Sequence, residues 1–332
     1  MSARPRRVLI TTVPFGEADR TPLDLLDAAG VEVRVNPFGR RLLEDELAGM
    51  IHDCTALIAG TEPITARVLQ AATNLAVIAR VGIGVDSVDL LEARRRNIEV
   101  TYTPDAPSAA VAELTVGLML DLLRGITAAD RKMRQGGWQR TLGRRLSEST
   151  VGVIGVGRIG KRLIAHLKNG FPGARVLAND VQPDRGFGSA HGVEWVDKQA
   201  IYAQADVISL HLPLTTDTKN LIGAAEIASM RADAVLINTS RGNMIGEAAL
   251  ATALREGRLA GAALDVFERE PYTGELAGIE NCVLTCHMGS MSRDCRRRME
   301  MEATMEVVRF FRGEPRHSVV PEAEYVMAEL GG

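Results

Sequence analysis

Residues 151–160 read Val-Gly-Val-Ile-Gly-Val-Gly-Arg-Ile-Gly, a short apolar run that ends among closely spaced glycines. The apolar run predicts a buried strand, and the glycines predict a tight turn that leads into a helix. Gly155 permits the turn, Gly157 lets a pyrophosphate approach the backbone, and Gly160 lets the helix pack close to the sheet. The free N–H groups at the start of the helix favour bound phosphates. The stretch therefore predicts a dinucleotide-binding turn.

The next predicted strand, Arg175–Ala178, ends close to Asp180, which lies 20 residues beyond Gly160. An acid at this spacing binds the 2′-hydroxyl of the cofactor ribose and repels a 2′-phosphate, so the pattern favours NAD over NADP. Asp180 could instead be a solvated loop acid. Asn179 and Asp184 are neighbouring alternatives for the same contact.

Strand-like and helix-like segments alternate along the whole chain. Strands are predicted at Val8–Val13, Val31–Val35, Ala56–Ala59, Val77–Ala79, Ile98–Tyr102, Val151–Ile154, Arg175–Ala178, Val207–Leu210, Val235–Asn238, Gly261–Leu264 and Val283–Thr285. Long helices are predicted at Ala109–Arg124 and Ser292–Phe311. Such alternation is typical of α/β proteins with parallel sheets, and two series of strands predict two Rossmann-like or flavodoxin-like domains.

Composition excludes several classes of function. The 332 residues are 46% hydrophobic and 24% charged, with a net charge of −3, which gives no electrostatic reason to bind nucleic acid or an anionic membrane. No apolar stretch approaches the length of a membrane span, and the run at Val8–Val13 is shorter than the core of a signal peptide. We therefore expect a cytoplasmic protein.

Three cysteines and a histidine near the C-terminal end raise the question of zinc. They are Cys282, Cys286, His287 and Cys295. Their spacing fits no standard zinc finger, and the first two flank a short apolar strand. Reduced, mostly packed thiols are the better interpretation, and we predict no metal site.

Three residues with the chemistry of 2-keto acid reduction each follow a predicted strand. Arg241 can pair a carboxylate bidentately, His287 can exchange a proton near neutral pH, and Glu270 can orient the imidazole and favour its charged form. The carboxyl ends of parallel strands face the ligand crevice, so the three side chains could converge. Each could also be an ordinary loop or core residue.

The chain resembles the D-isomer-specific 2-hydroxyacid dehydrogenase family over nearly its whole length. The motifs that carry the resemblance, in order along the chain, are Arg80-Val-Gly-Ile-Gly84-Val-Asp86, Val111-Ala-Glu113-Leu, the 155–160 turn, His211-Leu-Pro213-Leu-Thr215, Asn238-Thr-Ser-Arg241-Gly242, Leu264-Asp265-Val-Phe267, Glu270-Pro271 and His287. The resemblance implies a catalytic trio of Arg241, Glu270 and His287. It implies an NAD-dependent oxidoreductase that moves a hydride between the cofactor and the carbinol carbon of a small D-2-hydroxy acid.

The resemblance also implies the binding residues. Contacts with NAD are implied for Gly155, Gly157, Arg158, Ile159, Gly160, Asp180, His211, Pro213, Thr239, Ser240 and Asp265, the last facing the nicotinamide amide. Contacts with the substrate are implied for Arg80, Arg241, His287 and the backbone of Ile83 and Gly84. Residues 1–103 plus 297–332 would form the substrate-binding domain and residues 104–296 the NAD-binding domain. The active site would lie in the interdomain cleft of a homodimer.

Some positions depart from the family pattern. Cys286 stands where the family usually has Pro, and Pro107 stands where Asn is common. The Arg80 loop is most similar to phosphoglycerate dehydrogenases, but Gly60-Thr61-Glu62 replaces a basic residue that those enzymes often carry. The chain also ends at Gly332 without room for a regulatory domain, so phosphoglycerate oxidation is not favoured. A phosphonate- or phosphate-bearing hydroxy acid stays open, because Arg80 could reach a second anionic group.

Two other functions stay open. The first is an NAD-responsive binding or regulatory protein of the same fold. The second is a dehydrogenase of the formate or phosphite type, which shares the trio. The identity of the side chain on the substrate depends on loops near residues 60–63, 80–84 and 288–292, whose geometry the sequence does not give.

Overall fold

A computed structural model of the protein describes residues 5–331. The chain divides into two compact units, residues 1–107 with 291–332, and residues 108–290. Both predicted boundaries, after 103 and after 296, fall inside the first unit. The second of them would cut a continuous helix that begins at Arg293, which is why the unit changes before that helix. Residues 1–4 and 332, which the predicted domain ranges include, lie outside the described residues.

The first unit contains a five-stranded parallel sheet. Its strands are β1 (Arg7–Ile10), β2 (Glu32–Val35), β3 (Ala56–Ala59), β4 (Val77–Arg80) and β5 (Glu99–Thr101). Its helices are α1 (Thr21–Ala28), α2 (Glu44–Ile51), α3 (Ala66–Ala71) and α4 (Leu90–Arg95), with α12 (Arg293–Arg312) and α13 (Glu322–Gly331) from the end of the chain. The strand order β2-β1-β3-β4-β5 is that of flavodoxin-like folds.

The second unit contains a seven-stranded parallel sheet. Its strands are β6 (Thr150–Ile154), β7 (Arg175–Asn179), β8 (Val193–Trp195), β9 (Val207–Leu210), β10 (Val235–Asn238), β11 (Gly261–Leu264) and β12 (Cys282–Leu284). Its helices are α5 (Ser108–Arg124), α6 (Ile126–Arg134), α7 (Arg158–Gly170), α8 (Arg185–His191), α9 (Lys198–Gln204), α10 (Ala224–Ser229) and α11 (Glu247–Arg255). The strand order is β12-β11-β10-β9-β6-β7-β8. The chain adds β7 and β8 on one side of β6 and then returns to add β9 to β12 on the other side, as in Rossmann folds.

Strands of this sheet are apolar at every position because both faces are covered. In β10, Val235 and Ile237 lie in one hydrophobic core, whereas Leu236 between them lies in the core on the opposite face. Successive side chains of a strand point to opposite faces, so a continuous apolar run is required. The polar groups that follow each strand are thereby left at the carboxyl edge of the sheet.

The predicted α/β fold with two parallel sheets is confirmed, and the cleft between domains stays a prediction. Strand β8 was missed because it is a three-residue edge strand, Val-Glu-Trp, without an apolar run. The predicted Ser292–Phe311 helix is α12, and Ser292 is its N-cap, accepting a hydrogen bond from the Cys295 N–H. No helix in residues 5–331 is long and apolar enough to cross a membrane.

Candidate active site

The glycine turn between β6 and α7 has the shape that a dinucleotide requires. Gly155 has φ +95°, and a Cβ there would lie 2.4 Å from the carbonyl oxygen of His211. A Cβ on Gly160 would lie 2.2 Å from the carbonyl oxygen of Gly155, so only glycine fits where the helix meets the turn. In contrast, a Cβ on Gly157 would meet no protein atom within 4 Å. The space before Gly157, at the start of α7, therefore fits a pyrophosphate.

Of the three candidate ribose ligands, Asp180 is the one whose side chain is hydrogen-bonded to this turn. One carboxylate oxygen of Asp180 accepts the Val156 N–H at 2.7 Å, and the other accepts the Gln182 N–H at 2.9 Å. Asp184 caps α8 and pairs with Lys161 at 2.6 Å. The Asn179 side chain donates to the Val196 carbonyl at 2.8 Å. Asp180 is held by the glycine turn itself, at the end of β7.

The loop after β9 contributes a half-buried histidine beside the same turn. His211 Nε2 lies 2.9 Å from the Ser209 hydroxyl, while its buried Nδ1 has no hydrogen-bond partner within residues 5–331. Burial lowers the pKa of His211 to about 4, so the ring is neutral at neutral pH. Pro213 is exposed two residues later, and Arg158 and Ile159 form the first turn of α7. An orphaned buried nitrogen beside the glycine turn is consistent with a cofactor site.

The turn after β10 is organised by Asn238, which is fully buried. Its amide oxygen accepts the N–H and hydroxyl of Ser240, and its amide nitrogen donates to the Arg241 carbonyl at 2.8 Å. The Thr239 hydroxyl lies 3.0 Å from that of Thr115 on α5. Arg241 itself donates through Nη1 to the Ser240 carbonyl at 2.7 Å. Asn238 thus fixes the turn that presents Arg241, and sequence reasoning gave it no role.

Glu270 and His287 form a hydrogen-bonded pair. His287 Nδ1 lies 2.8 Å from Glu270 Oε2, and the other carboxylate oxygen accepts the Phe267 N–H at 3.2 Å. The His287 side chain is 35% exposed, so a small molecule can reach the ring. With Nδ1 engaged, Nε2 is the nitrogen left for a ligand. This is the geometry of an oriented general acid–base.

The loops that carry Arg241 and Glu270 are in direct contact. A Cβ on Gly242 would lie 1.9 Å from the backbone carbon of Phe267, so the two backbones touch where Gly242 follows Arg241. Strands β10, β11 and β12 are neighbours and parallel, so their carboxyl ends share one edge. The residues after these three strands are therefore collected at one place in the second unit.

Asp265 is buried at the end of β11, and it holds the segment around His287. Its carboxylate accepts hydrogen bonds from the Thr285 hydroxyl and from the N–H groups of Met288 and Gly289. Sequence reasoning assigned Asp265 to the cofactor and gave Thr285 no role. The only signal in the sequence was position, since Asp265 directly follows the predicted strand Gly261–Leu264 and Thr285 is the last residue of the predicted strand Val283–Thr285.

The predicted substrate residues Arg80, Ile83 and Gly84 belong to the first unit, after β4. Arg80 is buried, and its guanidinium donates to the Val81 carbonyl within its own loop. The Gly82 N–H donates to the Thr103 hydroxyl at 2.8 Å, which ties the loop to the end of β5. Ile83 and Gly84 are half-buried.

The cysteines carry free thiols, and burial raises the pKa of Cys282 to about 12 and of Cys295 to about 11. Cys286 is exposed. Among residues 5–331, no three His, Cys, Asp or Glu side chains are grouped to hold a metal ion.

Comparisons with known proteins agree with this geometry. The chain is 38% identical to a glyoxylate reductase from Korarchaeum cryptofilum over 80% of this chain and 82% of that protein. It is 37% identical to a D-3-phosphoglycerate dehydrogenase from Methanocaldococcus jannaschii over 87% of this chain, but it spans only 56% of that protein. The crystal structure of the TT0316 protein from Thermus thermophilus superposes with a TM-score of 0.86 at 35% identity, covering 95% of this chain and 100% of that one.

The fold and the site define an oxidoreductase that uses NAD and acts on the CH–OH group of 2-hydroxy acids. Residues 116–289 match the sequence model described as D-isomer specific 2-hydroxyacid dehydrogenase, NAD binding domain. The chain belongs to the D-isomer specific 2-hydroxyacid dehydrogenase family.

Proposed function

We propose that this protein is a 2-keto acid reductase that acts on a small substrate of the size of glyoxylate or hydroxypyruvate. The observation that carries the proposal is the 2.8 Å pair of His287 and Glu270, at the sheet edge where the Arg241 turn also lies. The similarity to a glyoxylate reductase supports a substrate of this size. The second function that the comparisons suggest is phosphoglycerate oxidation.

In the proposed mechanism, each side chain has one task. His287 gives a proton to the C2 oxygen through Nε2, or takes it in the reverse direction, while Glu270 holds Nδ1 and stabilises the charged ring. Arg241 clamps the substrate carboxylate and polarises the carbonyl. The cofactor, when bound, would supply a hydride to C2 as NADH, or accept one from C2 as NAD⁺ in the reverse direction. Gly157, Arg158 and Ile159 would hold its pyrophosphate.

The other residues that we propose to contact the cofactor are also compatible with NAD. Asp180 would bind the ribose hydroxyls, and its carboxylate at the glycine turn would repel the additional phosphate of NADP. His211, Pro213, Thr239 and Ser240 would line the adenine and nicotinamide ends, as the family resemblance implies. Comparing the KM values for NADH and NADPH tests the role of the carboxylate.

The substrate contacts in the first unit rest on the family resemblance. The backbone of Ile83 and Gly84 would receive the substrate carboxylate. Arg80 would support this loop, because its buried guanidinium already donates to Val81. Because the Arg80 guanidinium donates within its own loop, a substrate with a second anionic group, phosphate or phosphonate, is our second choice. Phosphohydroxypyruvate and phosphonopyruvate belong in the substrate panel.

A homodimer and a cytoplasmic location are part of the same proposal. The segment 126–142 leaves large apolar side chains exposed, including Trp138 at 79% and Leu142 at 102%. Several large apolar side chains exposed within one short segment are consistent with an interface. A second copy of this chain would cover it. Light scattering of the full chain measures the oligomeric state.

The deciding experiment is NADH oxidation by the purified protein with a panel of 2-keto acids. We expect turnover with a small keto acid, and a loss of about 10²–10⁴-fold in kcat for His287→Asn. Asn is chosen because it tolerates the positive φ of residue 287. His166→Asn, at an exposed position of α7, is the matched control.

Three outcomes would contradict the proposal. Normal turnover by His287→Asn would remove His287 from the mechanism. Saturable NADH binding without turnover of any keto acid would favour an NAD-responsive binding protein. Reduction of NAD by formate or phosphite would identify the other type of dehydrogenase.

A further inference from the structure

Three successive backbone N–H groups converge on Asp265. The His287 N–H donates to the Asp265 carbonyl, the Met288 N–H to Oδ1 and the Gly289 N–H to Oδ2, each at 2.8 Å. Consecutive N–H groups that turn toward one acceptor form a concave site for an anion. Here the N–H groups of Met288 and Gly289 hold an anion that is a side chain of the protein itself, and the His287 N–H binds the backbone carbonyl of the same residue. Asp265 therefore fixes the backbone on both sides of the His287 side chain.

His287 needs such support because its backbone is in the left-handed region, with φ +53°. A residue with a Cβ is unfavourable in this conformation, and it persists only where the surroundings enforce it. The conformation sets the direction of the Cα–Cβ bond, and hence where the imidazole lies. The three hydrogen bonds to Asp265 are the contacts that enforce it. The geometry of the His287–Glu270 pair thus depends on Asp265.

The carboxylate of Asp265 is in turn held by Thr285. The Thr285 hydroxyl donates to Asp265 Oδ1 at 2.6 Å, and the Thr285 N–H donates to the Leu264 carbonyl at 2.9 Å. Asp265 is 1% exposed, so water does not replace a missing donor easily. A carboxylate offers about four acceptor positions. The hydrogen bonds from Thr285, Met288 and Gly289 use three of them and leave one position on Oδ2.

We propose that Thr285 is a positioning residue for the reaction. Its hydroxyl fixes the Asp265 carboxylate, which holds the backbone of residues 287–289 and so places the imidazole of His287. This inference rests on the proposed role of His287 as the proton donor. It gives Asp265 a task within the protein, in addition to the cofactor contact that the resemblance implies. The remaining acceptor position on Oδ2 is the one that such a contact would use.

The test compares Thr285→Val, which keeps the shape and removes the donor, with Thr285→Ser, which keeps the donor. For Thr285→Val we expect kcat to fall about 10-fold to 10²-fold, because small displacements of a catalytic group are costly. Thr285→Ser should stay within about threefold of the wild type, a change of less than about 1 kcal/mol. Thr252→Val, which removes a hydroxyl that donates to the Ala248 carbonyl on α11, is the control.

Two measurements separate positioning of His287 from other roles. The Kd for NADH, from fluorescence titration, should change less than about twofold in Thr285→Val, a difference well under 1 kcal/mol. Hydrogen exchange of the peptide containing residues 285–289 should become faster in Thr285→Val and stay unchanged in Thr285→Ser. If Thr285→Val does not fold, Thr285→Ala carries the same expectations.

Each alternative outcome has a definite meaning. Wild-type kcat in Thr285→Val, with His287→Asn inactive, would overturn this inference and leave the proposed function intact. Equal damage in Thr285→Ser and Thr285→Val would assign the effect to packing. A rise in the Kd for NADH that matches the fall in kcat would place the effect on the cofactor.

Discussion

Adding one methyl group at two glycines of the same turn should affect two different properties, the stability of the fold at Gly160 and the affinity for NADH at Gly157. In Gly160→Ala the new Cβ would lie 2.2 Å from the backbone oxygen of Gly155, so the helix must move by about 1 Å. Overpacking of this kind costs about 1–3 kcal/mol. At about 2–4 °C per kcal/mol for a unit of this size, the melting temperature should fall by about 2–12 °C. Gly157 has φ −75°, and a Cβ there meets nothing.

Gly157→Ala should therefore leave the fold intact and weaken NADH binding. The methyl group would occupy the space where we place the pyrophosphate, and a clash of about 1–3 kcal/mol corresponds to a Kd about 5-fold to 150-fold higher. Thermal melts with and without NADH, together with fluorescence titration, measure both effects. The gain in melting temperature from saturating NADH should shrink in this variant. Wild-type affinity in Gly157→Ala would refute the placement of the pyrophosphate.

Two further predictions concern charge. Glu270→Gln keeps an oxygen that can accept a hydrogen bond from His287 but loses the negative charge. The kcat at neutral pH should therefore fall about 10²-fold, and the melting temperature should stay unchanged. Wild-type turnover in this variant would contradict the mechanism. Burial lowers the pKa of His211 to about 4, so the unfolded chain, with a histidine pKa of about 6.5, binds more protons between these values. The free energy of unfolding should therefore fall as the pH is lowered from about 6.5 to about 4, and urea titrations should show less of this loss in His211→Gln.

The local chemistry of the cofactor turn could be predicted from the sequence. The functions of Gly155, Gly157 and Gly160 depend on spacing within six residues, which fixes where each glycine falls in the strand, turn and helix. Continuous apolar runs predicted the buried strands for the same reason, since burial on both faces forces an apolar residue at every position. Strand β8 was not predicted from the sequence because its side chains are only partly covered at the edge of the sheet.

The pairing of side chains could be decided only by the tertiary structure. Asp265 and Thr285 meet because β11 and β12 are parallel and Leu264 is paired with Leu284, which places the two polar residues next to each other beyond the pair. Nothing in the local sequence fixes that register, because it depends on how two separate strands fill the same core.

The sequence by itself determined the α/β architecture, the glycine turn and the residue types that 2-hydroxy acid chemistry requires. The tertiary structure decided that Glu270 lies against His287 and that Asp265 holds the left-handed backbone of His287. The physical reason is distance along the chain. Turns and caps involve neighbouring residues, whereas the Glu270–His287 pair joins two loops that only the sheet brings together.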